Sequence, residues 1–163
     1  MLFRSPKNVH RIDVTTAHEM WQASLESAVK NRIFIGCAAV ADYRVAEVAG
    51  QKIKKTNDND ELSLKLVKNP DIIASVASLE KDRPFVVGFA AETQNVAEYA
   101  KSKLQRKNLD MICANDVSGG QVFGQDQNAL QIFWKTGEKA LPLADKNKLA
   151  EALVTEIVEH YHK

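Results

Sequence analysis

Three polar clusters each follow an apolar run, and their residue types are those that handle phosphate and metal. Asp42-Tyr43-Arg44 follows Ile33 to Val40, Glu92-Thr93 follows Phe85 to Ala91, and Asn115-Asp116 follows Met111 to Ala114. Basic residues are gathered nearby: Lys52-Ile53-Lys54-Lys55 in a polar stretch, and Lys101, Lys103, Arg106 and Lys107 toward the end of an amphipathic segment. Carboxylates bind hard divalent cations and ammonium groups neutralise phosphate oxygens, so the set is suited to a metal and phosphate site. Each member also has a plainer reading. An acid at a strand end, such as Asp116, is often a turn former or cap. Lysines in a polar loop solvate it, and basic residues in a last helical turn complement the helix dipole. Phe89 reads as ordinary strand packing, and His160 with His162 reads as a solvated terminus rather than a metal site.

The elements that must position these residues follow from periodicity. Arg11 to Val14 is expected as a short strand, and Thr16-Ala17-His18-Glu19 has capping-box spacing. A helix to about Lys30 follows, with Trp21, Leu25, Ala28 and Val29 on one apolar face. Ile33 to Val40 is apolar without alternation, the pattern of a central parallel strand covered on both faces. Val45 to Asp60 reads as a loop or flap, and Leu62, Leu64 and Leu66 alternate with polar residues as in a half-solvated strand. Asn69-Pro70 predicts a helix start, with Asn69 as cap and Pro70 at the first helical position. Ile72, Ile73 and Val76 supply its buried stripe.

Phe85 to Ala91 predicts a second buried strand, Thr93 a cap, and Val96, Tyr99, Ala100 and Leu104 the face of the next helix. Met111 to Ala114 is a short strand, and Ser118-Gly119-Gly120 with Phe123-Gly124 falls in a loop. Leu130 to Trp134 and Ala140 to Leu143 flank Thr136-Gly137-Glu138 as an antiparallel hairpin. Asp145 then caps a helix carrying Leu149, Leu153, Ile157 and Tyr161. Strands alternating with helices predict an α/β, Rossmann-like architecture: a mostly parallel sheet with helices on both faces, closed by the C-terminal hairpin. Ligands of such sheets bind outside the carboxyl ends of strands, where strand order reverses.

Composition sets outer bounds. A length of 163 residues fits one domain, and 45% hydrophobic with 26% charged residues is ordinary for a folded globular chain. The formal net charge of +1 gives no general drive toward nucleic acid or anionic lipid. No apolar run approaches the roughly 20 residues that span a bilayer, and no signal-peptide pattern opens the chain, so a cytoplasmic location is expected. Cys37 and Cys113 sit in apolar runs without CxxC spacing and are expected as buried, reduced thiols. Neither a GxGxxG turn nor a P-loop is present, which disfavours a nicotinamide-dependent oxidoreductase.

The run Ile33 to Arg44 followed by Lys52-Ile53-Lys54-Lys55 closely resembles the bacterial phosphopantothenoylcysteine synthetase family. Lys68-Asn69-Pro70-Asp71-Ile72, Val87 to Thr93, Lys107-Asn108-Leu109-Asp110 and Ala114-Asn115-Asp116-Val117 agree with it in order. The resemblance covers about Val9 to the C-terminus. It implies ligation of 4'-phosphopantothenate with L-cysteine, using CTP and Mg2+, through an acyl cytidylate, in a homodimer. By the resemblance, Gly36, Cys37 and Ala38 supply backbone contacts to the nucleotide, and Asp42 touches nucleotide or metal. Lys52 resembles the family's mobile catalytic lysine, which closes over the reacting groups. Pro70, Asp71, Ile72, Ile73 and Phe89 line the CTP pocket, and Lys103 and Lys107 reach the nucleotide.

The chain departs from the family at its front. Met1 to Lys7 does not resemble it, so residues 1–8 are expected as a leader and residues 9–163 as a ligase domain without its first strand and phosphate-binding turn. The family's opening Gly-Pro-Thr turn and Ser-Ser-Gly segment do not occur, nor does the FMN-dependent decarboxylase domain that relatives carry. The alternative is a non-catalytic nucleotide-binding or dimer-interface module of the same fold.

Overall fold

The computed structural model describes residues 7–54, 62–92, 94–116 and 127–163. Its sheet has five strands: β1 (Ile33–Gly36), β4 (Phe85–Glu92), β5 (Met111–Asp116), β6 (Gln127–Trp134) and β7 (Gly137–Asp145), in the order β1-β4-β5-β6-β7. The β1–β4 and β4–β5 pairs are parallel, and β5–β6 and β6–β7 are antiparallel. A separate antiparallel ribbon joins β2 (Tyr43–Val45) to β3 (Leu66–Lys68).

Strand alternation divides the core between two faces. On one, Val86, Ala90, Ile112, Ala114 and Phe133 pack against three helices: α1 (Ala17–Ala28), α2 (Ile72–Ala77) and α3 (Val96–Arg106). On the other, Val87, Met111, Cys113, Leu130, Ile132 and Leu141 meet Leu149, Leu153 and Ile157 of α4 (Lys146–Tyr161). Helices thus cover both faces of an α/β sheet, and the C-terminal hairpin closes one side as expected. The capping box forms, with Glu19 N–H donating to Thr16 Oγ1 and Thr16 N–H to Glu19 Oε2. Asp145 caps α4 by accepting from Asn147 N–H.

Several expectations are corrected. Arg11 to Val14 pairs with no strand among the described residues, and Ile12 and Val14 are exposed. Among the described strands β1 lies at the edge of the sheet rather than at its centre; it ends at Gly36 and leaves Ile35 43% exposed. The small residues that follow it, Cys37 and Ala38, turn off the ladder to line a cleft, so an uninterrupted apolar run does not signify burial there. Only Leu66 of the three alternating leucines lies in a strand, and all three are exposed. Val29 and Tyr99 are exposed as well. Helix α2 begins at Ile72 with Asp71 as its cap, not Asn69, and Pro70 precedes the cap. The residue at the cap of α3 is Asn95, in a left-handed conformation with φ 48°; Thr93 lies outside the described residues, as do Lys55 and the Ser118-to-Gly124 loop. Among the described residues no helix is long and apolar enough to cross a membrane.

Candidate functional site

A cleft of about 600 Å³ opens where β1 ends, between α1, the segment 37–42 and the start of α2. Gly36, Cys37, Ala38, Asp42, Pro70, Asp71, Ile72, Ile73, Phe89 and Lys107 all line it. These are scattered over more than 70 positions of sequence, and the fold collects them in one place. Because β1, β4 and β5 run parallel, their carboxyl ends emerge on one edge, as expected. Among the described strands the order β1-β4-β5 contains no reversal, and the cleft opens beside β1, which has one neighbour, β4, among them.

Two glycines set how closely α2 approaches the sheet. Gly36 and Gly88 are register partners on β1 and β4. A β-carbon on Gly36 would stand 3.0 Å from Ile73 Cδ1, and one on Gly88 would stand 3.1 Å from the same atom and 2.8 Å from Leu109 Cδ1. Ile73 therefore seats in a notch that only the paired absence of side chains provides. That contact draws the first turn of α2, with Pro70 and Asp71 before it, over the end of β1.

Hydrogen bonds join the two walls of the cleft. Asn69 Nδ2 donates to Ala41 O at 2.8 Å, Asn69 N–H to Asp42 O at 2.8 Å, and Arg44 Nη1 to both Lys68 O and Asn69 Oδ1. The Asp71 carboxylate divides its oxygens: Oδ1 accepts from Ala74 N–H, capping α2, and Oδ2 pairs with Lys107 Nζ at 2.9 Å. Lys107 thereby hangs over the cleft from the end of α3. The Asp42 carboxylate is exposed and makes no hydrogen bond or ion pair with the described residues.

Two expected residues do not join this group. Lys103 Nζ pairs with Glu92 Oε1 at 2.5 Å near the end of β4, away from the cleft lining. Lys52 is exposed on the segment after β2 and is not part of the cleft lining; a β-carbon on nearby Gly50 would meet nothing within 4 Å.

The thiols also differ from expectation. Cys113 is buried, and burial pushes its pKa up to about 12. Cys37 is exposed at the cleft rather than buried, and partial desolvation raises its pKa. Either thiol is therefore protonated at neutral pH and poorly nucleophilic. Asn115 Oδ1, at the end of β5, is buried without a hydrogen-bond partner among the described residues. Such an orphaned acceptor is the kind of atom a ligand donor or water satisfies.

Met20 and Ser24 of α1 line the cleft and were not anticipated. They lie four apart on one helix face, and helical spacing does not distinguish a side chain facing a core from one facing a cavity. No cluster of three or more His, Cys, Asp or Glu side chains occurs among the described residues. A magnesium ion does not require one, since it is commonly held by one or two carboxylates together with substrate phosphates. The free Asp42 carboxylate fits that role.

Comparison with known proteins agrees with the motif resemblance. The chain is 71% identical over 159 residues to the coenzyme A biosynthesis bifunctional protein CoaBC of Haemophilus influenzae, covering 98% of this chain and 39% of that protein. It is 58% identical to the protein of the same name from Escherichia coli strain K12, covering 96% of this chain and 39% of that one. It thus spans about two fifths of the length of these curated relatives. The crystal structure of the C-terminal domain of a CoaBC protein superposes with a TM-score of 0.75 at 30% identity, covering 95% of this chain and 67% of that one. The sequence profile described as the DNA/pantothenate metabolism flavoprotein C-terminal domain matches residues 2–161, and the chain belongs to that family.

Proposed function

We propose that the cleft binds CTP with Mg2+ and that the protein ligates 4'-phosphopantothenate to L-cysteine in coenzyme A biosynthesis. The observation that carries this reading is the convergence of ten motif residues, from Gly36 to Lys107, on one cleft. Small residues at 36–38 let a ligand approach the backbone, whose polar groups there are not consumed by a strand ladder beyond Gly36. Phe89, Ile72 and Ile73 give an apolar wall suited to a nucleobase. Lys107 offers a cation to phosphate.

In the reaction, a carboxylate oxygen of 4'-phosphopantothenate attacks the α-phosphorus of CTP. The bond to the bridging oxygen breaks, and pyrophosphate leaves with the electron pair. The cysteine amine then attacks the acyl carbon, CMP departs, and the amine loses a proton. Both steps develop negative charge on phosphate oxygens, which fixed positive groups stabilise more than they stabilise the ground state. Lys107, which lines the cleft, supports this role, and Lys52 would be the catalytic lysine that completes it. Asp42 would hold the Mg2+, which supplies charge neutralisation to the phosphates. Lys103 acts from the Glu92 side. Any FMN belongs to a separate decarboxylase domain. The exposed Tyr43 and Leu66 of the ribbon, with Leu64 just before it, accord with a homodimer, and the substrates accord with a cytoplasmic enzyme.

The position of Lys52 outside the cleft favours the second reading, a module that binds nucleotide without turnover. One experiment on the intact gene product separates the two. CTP with Mg2+ should raise the melting temperature, and pyrophosphate release should require phosphopantothenate. Lys52→Gln should lower turnover on the order of 100-fold while leaving the melting temperature within about 2 °C. Stabilisation without pyrophosphate release would establish the binding module. No response to CTP would sink both.

A further inference from the structure

Asn69 serves neither as the helix cap its sequence context suggests nor as part of the cleft's chemistry so far described. We infer that it is the positioning residue of the site: its carboxamide fixes the backbone at Ala41 and Asp42 and so decides where the Asp42 carboxylate meets the ligand. This deepens the nucleotide-and-metal reading above and rests on it.

The geometry leaves little freedom. The partner of one end of the carboxamide, Ala41 O, can only accept, and the partner of the other, Arg44 Nη1, can only donate. The orientation of the amide is therefore forced by chemistry. Asn69 N–H adds a third bond, to Asp42 O. Together these hold carbonyls on two successive residues and the guanidinium two further on. The held segment needs it, because residues 37–42 belong to no strand. Its other end joins the β1 ladder at Gly36.

The other side of Asn69 is equally constrained. Pro70 restricts the preceding residue to extended backbone, and Asp71 caps α2 immediately afterwards. Asn69 thus welds the Asp42 wall to the α2 wall through the shortest covalent path available. Aspartate at this position would set a carboxylate against the Ala41 carbonyl, and serine is too short to reach both partners.

The test compares Asn69→Ala and Asn69→Asp with the unaltered intact gene product. Amide hydrogen exchange at residues 41–46 should accelerate about tenfold in both variants, with β4 and β5 unchanged, as expected for the loss of one or two net hydrogen bonds. Affinity for CTP measured with Mg2+ should fall about tenfold, and affinity measured without Mg2+ should fall less, because Asp42 acts through the ion. Asn69→Asp should match Asn69→Ala although it keeps an acceptor for Arg44. Unchanged exchange at 41–46 overturns the inference. So does faster exchange with unchanged affinity, and so does acceleration spread through β4 and β5 with a matching fall in melting temperature, which would make Asn69 merely structural. If the unaltered protein ignores CTP, the functional reading fails, and the exchange pattern still decides whether Asn69 fixes the loop.

Discussion

The two cysteines stand in regions built on different principles. Cys113 lies in β5 among Met111, Ile132 and Leu153, where position is set by many apolar contacts acting together. Cys37 lines the cleft, whose walls are joined by a few individual hydrogen bonds of Asn69 and Arg44. Burial accumulates at about 25 cal/mol per Å² and is shared among many side chains. A hydrogen bond contributes about 1 kcal/mol net and fails all at once. Damage to the first region should therefore appear as lost stability, and damage to the second as lost affinity at nearly constant stability.

The strongest way to break that contrast is in the core. Phe133 is fully buried between α3 and the sheet, so Phe133→Ala should cost about 3–5 kcal/mol in denaturant unfolding. The fraction that remains folded should bind CTP normally. A selective loss of affinity without loss of stability would mean the two regions are not separable.

Gly88→Ala probes the boundary between them. The added methyl meets Leu109 at 2.8 Å and Ile73 at 3.1 Å, one contact in the core and one at the cleft. Overpacking of this kind costs about 1–3 kcal/mol. Both readouts should move together here, with a lower unfolding midpoint and weaker CTP binding as α2 lifts. Normal affinity despite lower stability would show that Leu109 yields and Ile73 does not.

The smallest effect concerns the thiols themselves. At pH 8 iodoacetamide should label Cys37 more slowly than free cysteine, because its pKa is raised, and CTP with Mg2+ should slow it further. Cys113 should label only on unfolding. Since burial lifts the folded-state pKa of Cys113 from the ordinary 9.0 to about 12, its contribution to stability is complete below pH 9. That contribution is lost as pH rises toward 12, and Cys113→Ala should flatten this part of the alkaline limb. Equal labelling of both thiols would show that the sheet opens as readily as the cleft.

The same division governs what could be read from sequence. β4, β5, the hairpin and α4 are legible because alternation and helical spacing are imprints of burial. The capping box at Thr16 and the cap at Asp145 are legible because their partners lie within three residues. Asn69 is not, because Asn-Pro is a favourable helix start on local grounds and the competing bond to Ala41, 28 residues away, leaves no local trace. The turn off the ladder after Gly36 is hidden for a similar reason: small apolar residues suit a buried strand and a cleft wall equally. Met20 and Ser24 follow a helical face that periodicity cannot assign to core or cavity. Asp42, Lys52 and Lys107 were singled out through motif resemblance, and the fold gathers Asp42 and Lys107 while leaving Lys52 outside.

The notch formed by Gly36 and Gly88 makes Ile73 a shim. Its δ-methyl group fills the space that side chains on both glycines would claim, so the approach of α2 to the sheet at the cleft depends on a single aliphatic side chain as well as on the backbone. Trimming that shim to valine or alanine should leave the caps and the sheet register in place and deepen the floor by about one or three methyl-sized groups respectively. A nucleotide analogue bearing a matching alkyl bump would then fit the altered protein and be refused by the natural one. The molecule in this way carries its own calibration point for telling close analogues apart.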